Sequence, residues 1–184
     1  PVIEDSGGVS TFNFNGGELK TSASTTTFLQ GLDNAFIKSG GAILDTNGYN
    51  ITIAQALLTH ATSTGGGLTK NGSGTLTLSG ANTYAGATTI SAGTLSVSGG
   101  SAISDSSAVS VSSGAVFNLG ASETVGSIAG AGNIALGSNT LTAGGANSNT
   151  TVSGVISGTG ALTKSGTGAL TLSGENTYSG ATKV

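Results

Sequence analysis

Cysteine, methionine and tryptophan are absent from this 184-residue chain, and proline occurs once. Without cysteine there is no disulfide framework and no thiolate metal site. A chain without thiols also crosses an oxidising compartment without premature crosslinks. Charge is scarce: 7% of residues are charged, and the formal net charge is −3 with a pI near 4.8. That balance supplies no basic patch and argues against nucleic acid as a partner. Disorder is disfavoured too, because disordered chains join high charge to low hydrophobicity. Here 36% of residues are apolar and the mean hydropathy is +0.21. No apolar run approaches about 18 residues, so no transmembrane helix is expected. No charged-then-apolar leader follows Pro1, and any leader is expected outside this sequence. Aromatics make up 4% of residues, so a core must be built from small and branched side chains. Helical periodicity is missing as well. The best candidate, residues 53–60 (IAQALLTH), is short and uncapped, and reads as a loop or one helical turn.

What the chain has is glycine, 33 of them, and repetition. Residues 66–90 read GGLTKNGSGTLTLSGANTYAGATTI, and residues 160–184 read GALTKSGTGALTLSGENTYSGATKV. The offset is 94 residues, and 17 of 25 aligned positions are identical. A self-similarity of this strength marks a repeat architecture.

Between the glycines, apolar residues alternate with Thr, Ser, Ala or Asn. Phe12 and Phe14 share a face, as do Ile51 and Ile53, Leu76 and Leu78, and Leu95 and Val97. Val109 with Val111, Phe117 with Leu119, Ile134 with Leu136, and Leu170 with Leu172 continue the pattern. Period-2 runs bounded by turn residues predict short strands. A sandwich would need hairpin turns, for which Asn-Gly is the strongest signal. The candidates are Asn15-Gly16, Asn47-Gly48 and Asn71-Gly72, and the other turns lack it. The reading is therefore all-β, a parallel β-helix (β-solenoid) with about three short strands per turn. Turns of roughly 20–25 residues divide the 94-residue period into about four and the chain into about eight. Eight stacked strands make a rod roughly 35–40 Å tall. Narrow interiors favour Leu, Ile, Val and Ala, Thr and Ser suit outward strand positions, and Gly and Asn suit the corners. Near-absence of proline fits strands paired on both sides.

The segment GGLTKNGSGTLTLSGANTYAGATTISAGTL (residues 66–95) resembles the passenger-associated repeat of autotransporter passenger domains, and so does the copy from Gly160. GGAILDTNGYNITI (40–53) and GSIAGAGNIALGSNTLTAGG (126–145) are similar to segments that precede such repeats, and TFNFNGGELK (11–20) is similar in style. The resemblance implies a right-handed β-helical rod, secreted or displayed on a Gram-negative-type cell. It implies a repeat associated with passenger transport and folding, adhesive or enzymatic modules elsewhere, and an outer-membrane β-barrel at the C-terminal end of such chains. It does not imply an activity.

The chemistry-bearing residues are few. Asp5-Ser6-Gly7-Gly8 is like a serine-protease nucleophile segment, but the single histidine, His60, follows the serine where that fold needs its base upstream, so a turn is the reading. His60 is expected at the surface and makes no metal site without companions. No complete G-x-S-x-G, G-x-G-x-x-G or P-loop is present. The carboxylates Glu4, Asp5, Glu18, Asp33, Asp45, Asp105, Glu123 and Glu175 are scattered and read as solvated turn acids. A cluster of three or more acids or lysines on one face would favour an enzyme that cleaves polysaccharide. No calcium-binding nonapeptide repeat occurs. Lys20, Lys38, Lys70, Lys164 and Lys183 are the whole basic set; Lys70 and Lys164 are repeat equivalents, read as solubilising residues that block edge pairing. Asn82-Thr83-Tyr84 recurs as Asn176-Thr177-Tyr178. Its asparagines are expected to satisfy backbone groups in corner turns, with the tyrosines covering the adjacent loop; exposed contact tyrosines are the other reading. Outward Thr and Ser ranks are too varied for ice binding.

These observations give a non-catalytic segment of a secreted or cell-surface β-solenoid, an adhesin-like stalk or extracellular fibre. The alternative is a carbohydrate-binding or carbohydrate-cleaving module with its site on one face of the rod. No catalytic residue, cofactor or metal is assigned. Copies of the chain end-to-end, or host or surface glycans, are the expected partners, with no nucleic acid and no membrane insertion by this segment. Residues 1–184 are expected to be one continuous solenoid within a longer chain or a fibre. Val184 stops inside a repeat, residues 1–3 enter strand-like sequence, and solenoids otherwise carry polar caps. Leu76, Leu78, Leu170 and Leu172 are expected to point inward. If 94 residues make a whole number of turns, Tyr84 and Tyr178 leave the rod at the same corner.

Overall fold

Alternation of apolar and hydroxyl residues produces short strands that wind into a parallel solenoid of about eight turns. The computed structural model describes residues 8–184; Glu4, Asp5, the Ser6-Gly7 step and residues 1–3 lie outside them. The first turn contains β1 (Thr11–Phe14), β2 (Glu18–Lys20) and β3 (Thr25–Leu29). The second contains β4 (Asn34–Ile37), β5 (Ala42–Asp45) and β6 (Ile51–Ile53), and the third β7 (Leu57–Thr59), β8 (Leu68–Asn71) and β9 (Thr75–Leu78). Two turns follow with two strands each: β10 (Thr88–Ile90) and β11 (Thr94–Val97), then β12 (Ala108–Val111) and β13 (Val116–Leu119). Three strands per turn return with β14 (Glu123–Val125), β15 (Ser127–Gly130) and β16 (Asn133–Ala135), and with β17 (Thr140–Ala143), β18 (Thr150–Val152) and β19 (Ile156–Ser157). The last strands are β20 (Ala161–Lys164), β21 (Leu170–Leu172) and β22 (Thr182–Lys183). Among the described residues there is no helix.

Each strand pairs in parallel with the equivalent strand of the next turn. The second face is β2-β5-β8-β10-β12-β15-β18-β21, and the third is β3-β6-β9-β11-β13-β16-β19. The first face is in two pieces, β1-β4-β7 and β14-β17-β20-β22. The inward positions stack as ladders of like side chains. On the third face Ile51, Leu76, Leu95, Phe117, Ile134 and Ile156 form one column. Leu76 and Leu78 are fully buried, while Thr75 and Thr77 beside them are half-buried on the outer side. Leu170 and Leu172 are half-buried and pack against the core, with Thr171 exposed.

Corners are tight because glycines there lie against the turn below. Gly132, Gly154 and Gly174 stack at the corner between the second and third faces. A Cβ on Gly154 would sit 1.9 Å from the carbonyl oxygen of Gly132, and one on Gly174 would sit 2.1 Å from that of Gly154. No side chain fits in such a column. The Asn-Gly steps make no hairpins; at Asn47-Gly48 both residues have positive φ, 50° and 83°, inside a corner of the parallel coil.

Two expectations are corrected. Residues 53–60 are neither loop nor helical turn: Ile53 ends β6, residues 54–56 turn the corner, and residues 57–59 are β7. Gln55 stabilises this corner, its Oε1 accepting the Leu32 N–H at 3.0 Å. The second correction concerns the long repeat. Leu68 lies on the second face in β8, but its equivalent Leu162 lies on the first face in β20. From β8 the second face passes through β10, β12 and β15 to β18, four turns on, and the chain then covers two more sides before reaching β20. The period is therefore not a whole number of turns. Turn length varies, from 26 residues between Ala42 and its partner Leu68 to 17 between Val116 and Asn133, so residue number and rotation are not proportional.

Candidate functional site at the interrupted face

The gap between β7 and β14 on the first face is spanned by loops 80–86 and 99–106, in which side chains replace the missing ladder. Asn82 Oδ1 accepts the Leu57 N–H at 2.7 Å, its Nδ2 donates to Ala102 O at 2.6 Å, and its own N–H donates to Ser101 O at 2.9 Å. One buried amide thus joins three successive turns. Glu123 closes the other side: its carboxylate accepts the N–H groups of Ala102 at 3.3 Å and Ile103 at 2.9 Å. Glu123 is an inward residue of β14, in a column with Leu141 and Leu162, and is 2% exposed. Burial pushes its carboxyl up to about 7; the Ile103 and Ala102 N–H groups oppose this and the charge of Asp105 adds to it.

Tyr84 is buried in the same gap. Its hydroxyl lies 2.7 Å from Thr88 Oγ1, which lies 3.3 Å from Ser107 Oγ, and Ser107 donates to Gly86 O at 2.8 Å. Burial drives the phenol well above its ordinary value, outweighing the Thr88 bond. In the second copy Asn176 Oδ1 accepts the Ile156 N–H at 2.8 Å, and the Tyr178 hydroxyl lies 2.6 Å from Thr182 Oγ1. The asparagines therefore act as the sequence suggested. The tyrosines do not leave the rod at a common corner. Tyr84 turns inward against β7 of the first face and Tyr178 against β19 of the third, each donating its backbone N–H at 3.2 Å, to Leu57 O and Ile156 O respectively.

Lys70 overturns its expected role. It is fully buried, in a column between Leu44 and Ile90 on the second face. Its ammonium donates to Thr46 Oγ1, Asn71 O, Gly72 O and Ala92 O. Burial pushes it down to about 8, with Asp45 opposing, so it is charged at neutral pH. Lys164, half-buried, reaches Ser165 O and Gly166 O in the same way. The signal for both inward charges was local: Lys70 is in phase with Leu68, and Glu123 with Val125.

Of the other candidates among the described residues, Glu18, Lys20 and Asp45 gather on one outward side, and His60, Asp33 and Glu175 stay apart from them. His60 is half-buried, its ring 5.2 Å from that of Phe36 in an edge-on contact. Asp33 accepts the Ser10 N–H at 2.7 Å, a tie between turns. Asp105 and Glu175 are exposed. Asp45 pairs with Lys20, Nζ to Oδ2 2.8 Å, with Glu18 on the same outward side of β2. The Lys20 hydrogen bond and the Asn47 N–H hold Asp45 below the usual carboxylate range. General-acid chemistry on a sugar requires the opposite shift. On the third face a shallow groove of about 450 Å³ is lined by Ser24, Thr25, Thr26, Asn50, Thr52 and Thr77 around Ile51. The outward rank through Thr52, Thr77, Ser96, Asn118 and Ala135 mixes hydroxyl, amide and methyl groups.

Parallel strands stacked over about eight turns, with polar ties at the corners, define a β-solenoid. Residues 68–97 and 162–184 match the model of the passenger-associated-transport-repeat family. Both matched stretches lie within the parallel coil, and together they fit an autotransporter passenger domain with β-helical repeats. No curated protein and no solved structure matches it.

Proposed function

We propose that this chain is a non-catalytic rod segment of a secreted or surface-displayed passenger protein, a stalk that projects other modules from a Gram-negative cell or forms part of an extracellular fibre. The observation that supports this reading is the use made of its polar side chains. Lys70, Asn82 and Glu123 each bind a neighbouring turn of the coil, Tyr84 ties to Thr88 within its own, and the repeat reproduces its Asn, Tyr and Lys ties on other faces. The passenger repeats support an extracellular or cell-surface location. The test places the chain between an epitope and an outer-membrane β-barrel translocator. The expected result is display of the epitope roughly 35–40 Å further from the membrane than without the chain. Release of reducing ends from a polysaccharide panel, lost in Asp45→Asn, would overturn the non-catalytic reading.

The uncharged, hydroxyl-lined groove on the third face favours one second reading, a module that binds neutral sugars. Glycan-array binding abolished by Thr52→Val and Thr77→Val together would support it, and an array without binding would remove it.

A further inference from the structure

The corner after β8 concentrates oxygen around one buried charge. Lys70 Nζ lies 3.0 Å from Thr46 Oγ1, 3.0 Å from Asn71 O, 2.7 Å from Gly72 O and 3.0 Å from Ala92 O. Thr46 follows β5, Asn71 and Gly72 end and follow β8, and Ala92 follows β10, so the four oxygens come from three consecutive turns at one corner. Thr46 donates its own hydroxyl hydrogen to Asn71 O at 3.1 Å, which leaves its lone pairs for the cation. All four acceptors are neutral. An ammonium has three protons and no lone pair, so the fourth contact is shared. These distances exceed the 2.3–2.6 Å of calcium and the 2.0–2.1 Å of magnesium; they suit a large monovalent cation such as ammonium or potassium. The nearby carboxylate, Asp45, is turned outward to Lys20.

We propose that this corner is a monovalent-cation site, formed by Thr46 Oγ1 and the carbonyl oxygens of Asn71, Gly72 and Ala92, which the chain fills with its own Lys70 ammonium. The cation's task is to hold the Thr46 hydroxyl of one layer and the carbonyl dipoles of the next two layers together, and the aliphatic stem serves to deliver it. Lys164 shows that the two nearest carbonyls come with the repeat itself, since it reaches Ser165 O and Gly166 O on a different face. Thr46 and Ala92 are supplied by the flanking turns.

The test compares the 184-residue chain with Lys70→Met and Lys70→Ala. Thermal unfolding is followed in choline, sodium, potassium, ammonium and ethylammonium chlorides at one ionic strength. Lys70→Met keeps a stem and loses the charge. Its Tm is expected to fall by on the order of 10 °C in every salt, because the side chain still blocks the site. Lys70→Ala opens the site, and is expected to regain at least half of its loss in ammonium, ethylammonium or potassium but not in choline. The wild-type Tm should not discriminate among these cations. A Lys70→Met chain as stable as wild type, or a Lys70→Ala chain with one Tm in all five salts, would overturn the proposal. Should Lys70→Ala fail to fold in choline, refolding yield by circular dichroism becomes the readout, and equal yields in all salts would overturn it in the same way.

Discussion

Replacing Glu123 by Gln should make this protein more stable at pH 8 and leave it unchanged near pH 4.5. The carboxylate is buried in a core column beneath Leu141 and Leu162, and its ordinary value of 4.5 is pushed up to about 7. Below pH 4.5 the group carries a proton in both folded and unfolded chains and makes no difference. Between 4.5 and 7 the folded chain keeps the proton that the unfolded chain has released, so stability falls as pH rises. Above 7 the full cost of a buried charge is present. A shift of 2.5 units corresponds to about 3 kcal/mol. Gln is neutral at every pH and retains an oxygen that accepts the Ile103 N–H, the shorter of the two contacts at 2.9 Å. Urea unfolding of both chains at half-unit steps from pH 4 to 8 isolates the effect, because the other carboxylates cancel in the difference. The expected curve is flat near zero at the acid end and rises to about 3 kcal/mol in favour of the variant at pH 8. A variant less stable than wild type by the same amount at both ends would refute the reasoning. It would mean that the two N–H contacts to a charged oxygen outweigh burial.

Three further outcomes are expected. Asn82→Ala strands the Leu57 N–H and the Ala102 carbonyl in the interior and should cost about 2–4 kcal/mol in the same assay; Asn82→Asp restores only the acceptor and should recover less than the whole loss. Gly154→Ala forces a methyl group onto the Gly132 carbonyl and should cost about 1–3 kcal/mol, whereas Gly17→Ala, with nothing within 4 Å of the new carbon, should leave the Tm unchanged. Leu76→Ala removes a fully buried side chain and should cost about 2–5 kcal/mol, and Leu170→Ala, half-buried, should cost clearly less; equal losses would show that the end turns are packed as tightly as the middle.

The sequence by itself determined most of the strands, their apolar inward positions and the solenoid, but not β7, which it showed as a loop or helical turn. Strands and faces depend on a pattern two residues long, and the alternation in residues 75–78 or 94–97 needs no distant partner to be read; the solenoid followed from the 94-residue repeat and the scarcity of hairpin turns. The repeated Asn-Thr-Tyr tripeptide likewise announced the corner amides. Only the tertiary structure decided which face each copy of the repeat occupies. Rotation around the axis accumulates the lengths of all the intervening corners, and a corner can gain or lose residues without disturbing the local alternation on either side. It also decided the fate of the charges. Lys70 and Glu123 stand in phase with buried neighbours, yet a lysine or glutamate in a strand is placed outside on its solvation cost alone. That cost is offset here by oxygens from three turns around one group, and by two free N–H groups at a break in the ladder facing the other. Asn71 and Gly72 are local to Lys70, but Thr46, Ala92, Ala102 and Ile103 lie 20 or more residues from the charges they meet, and do so only because the coil stacks them.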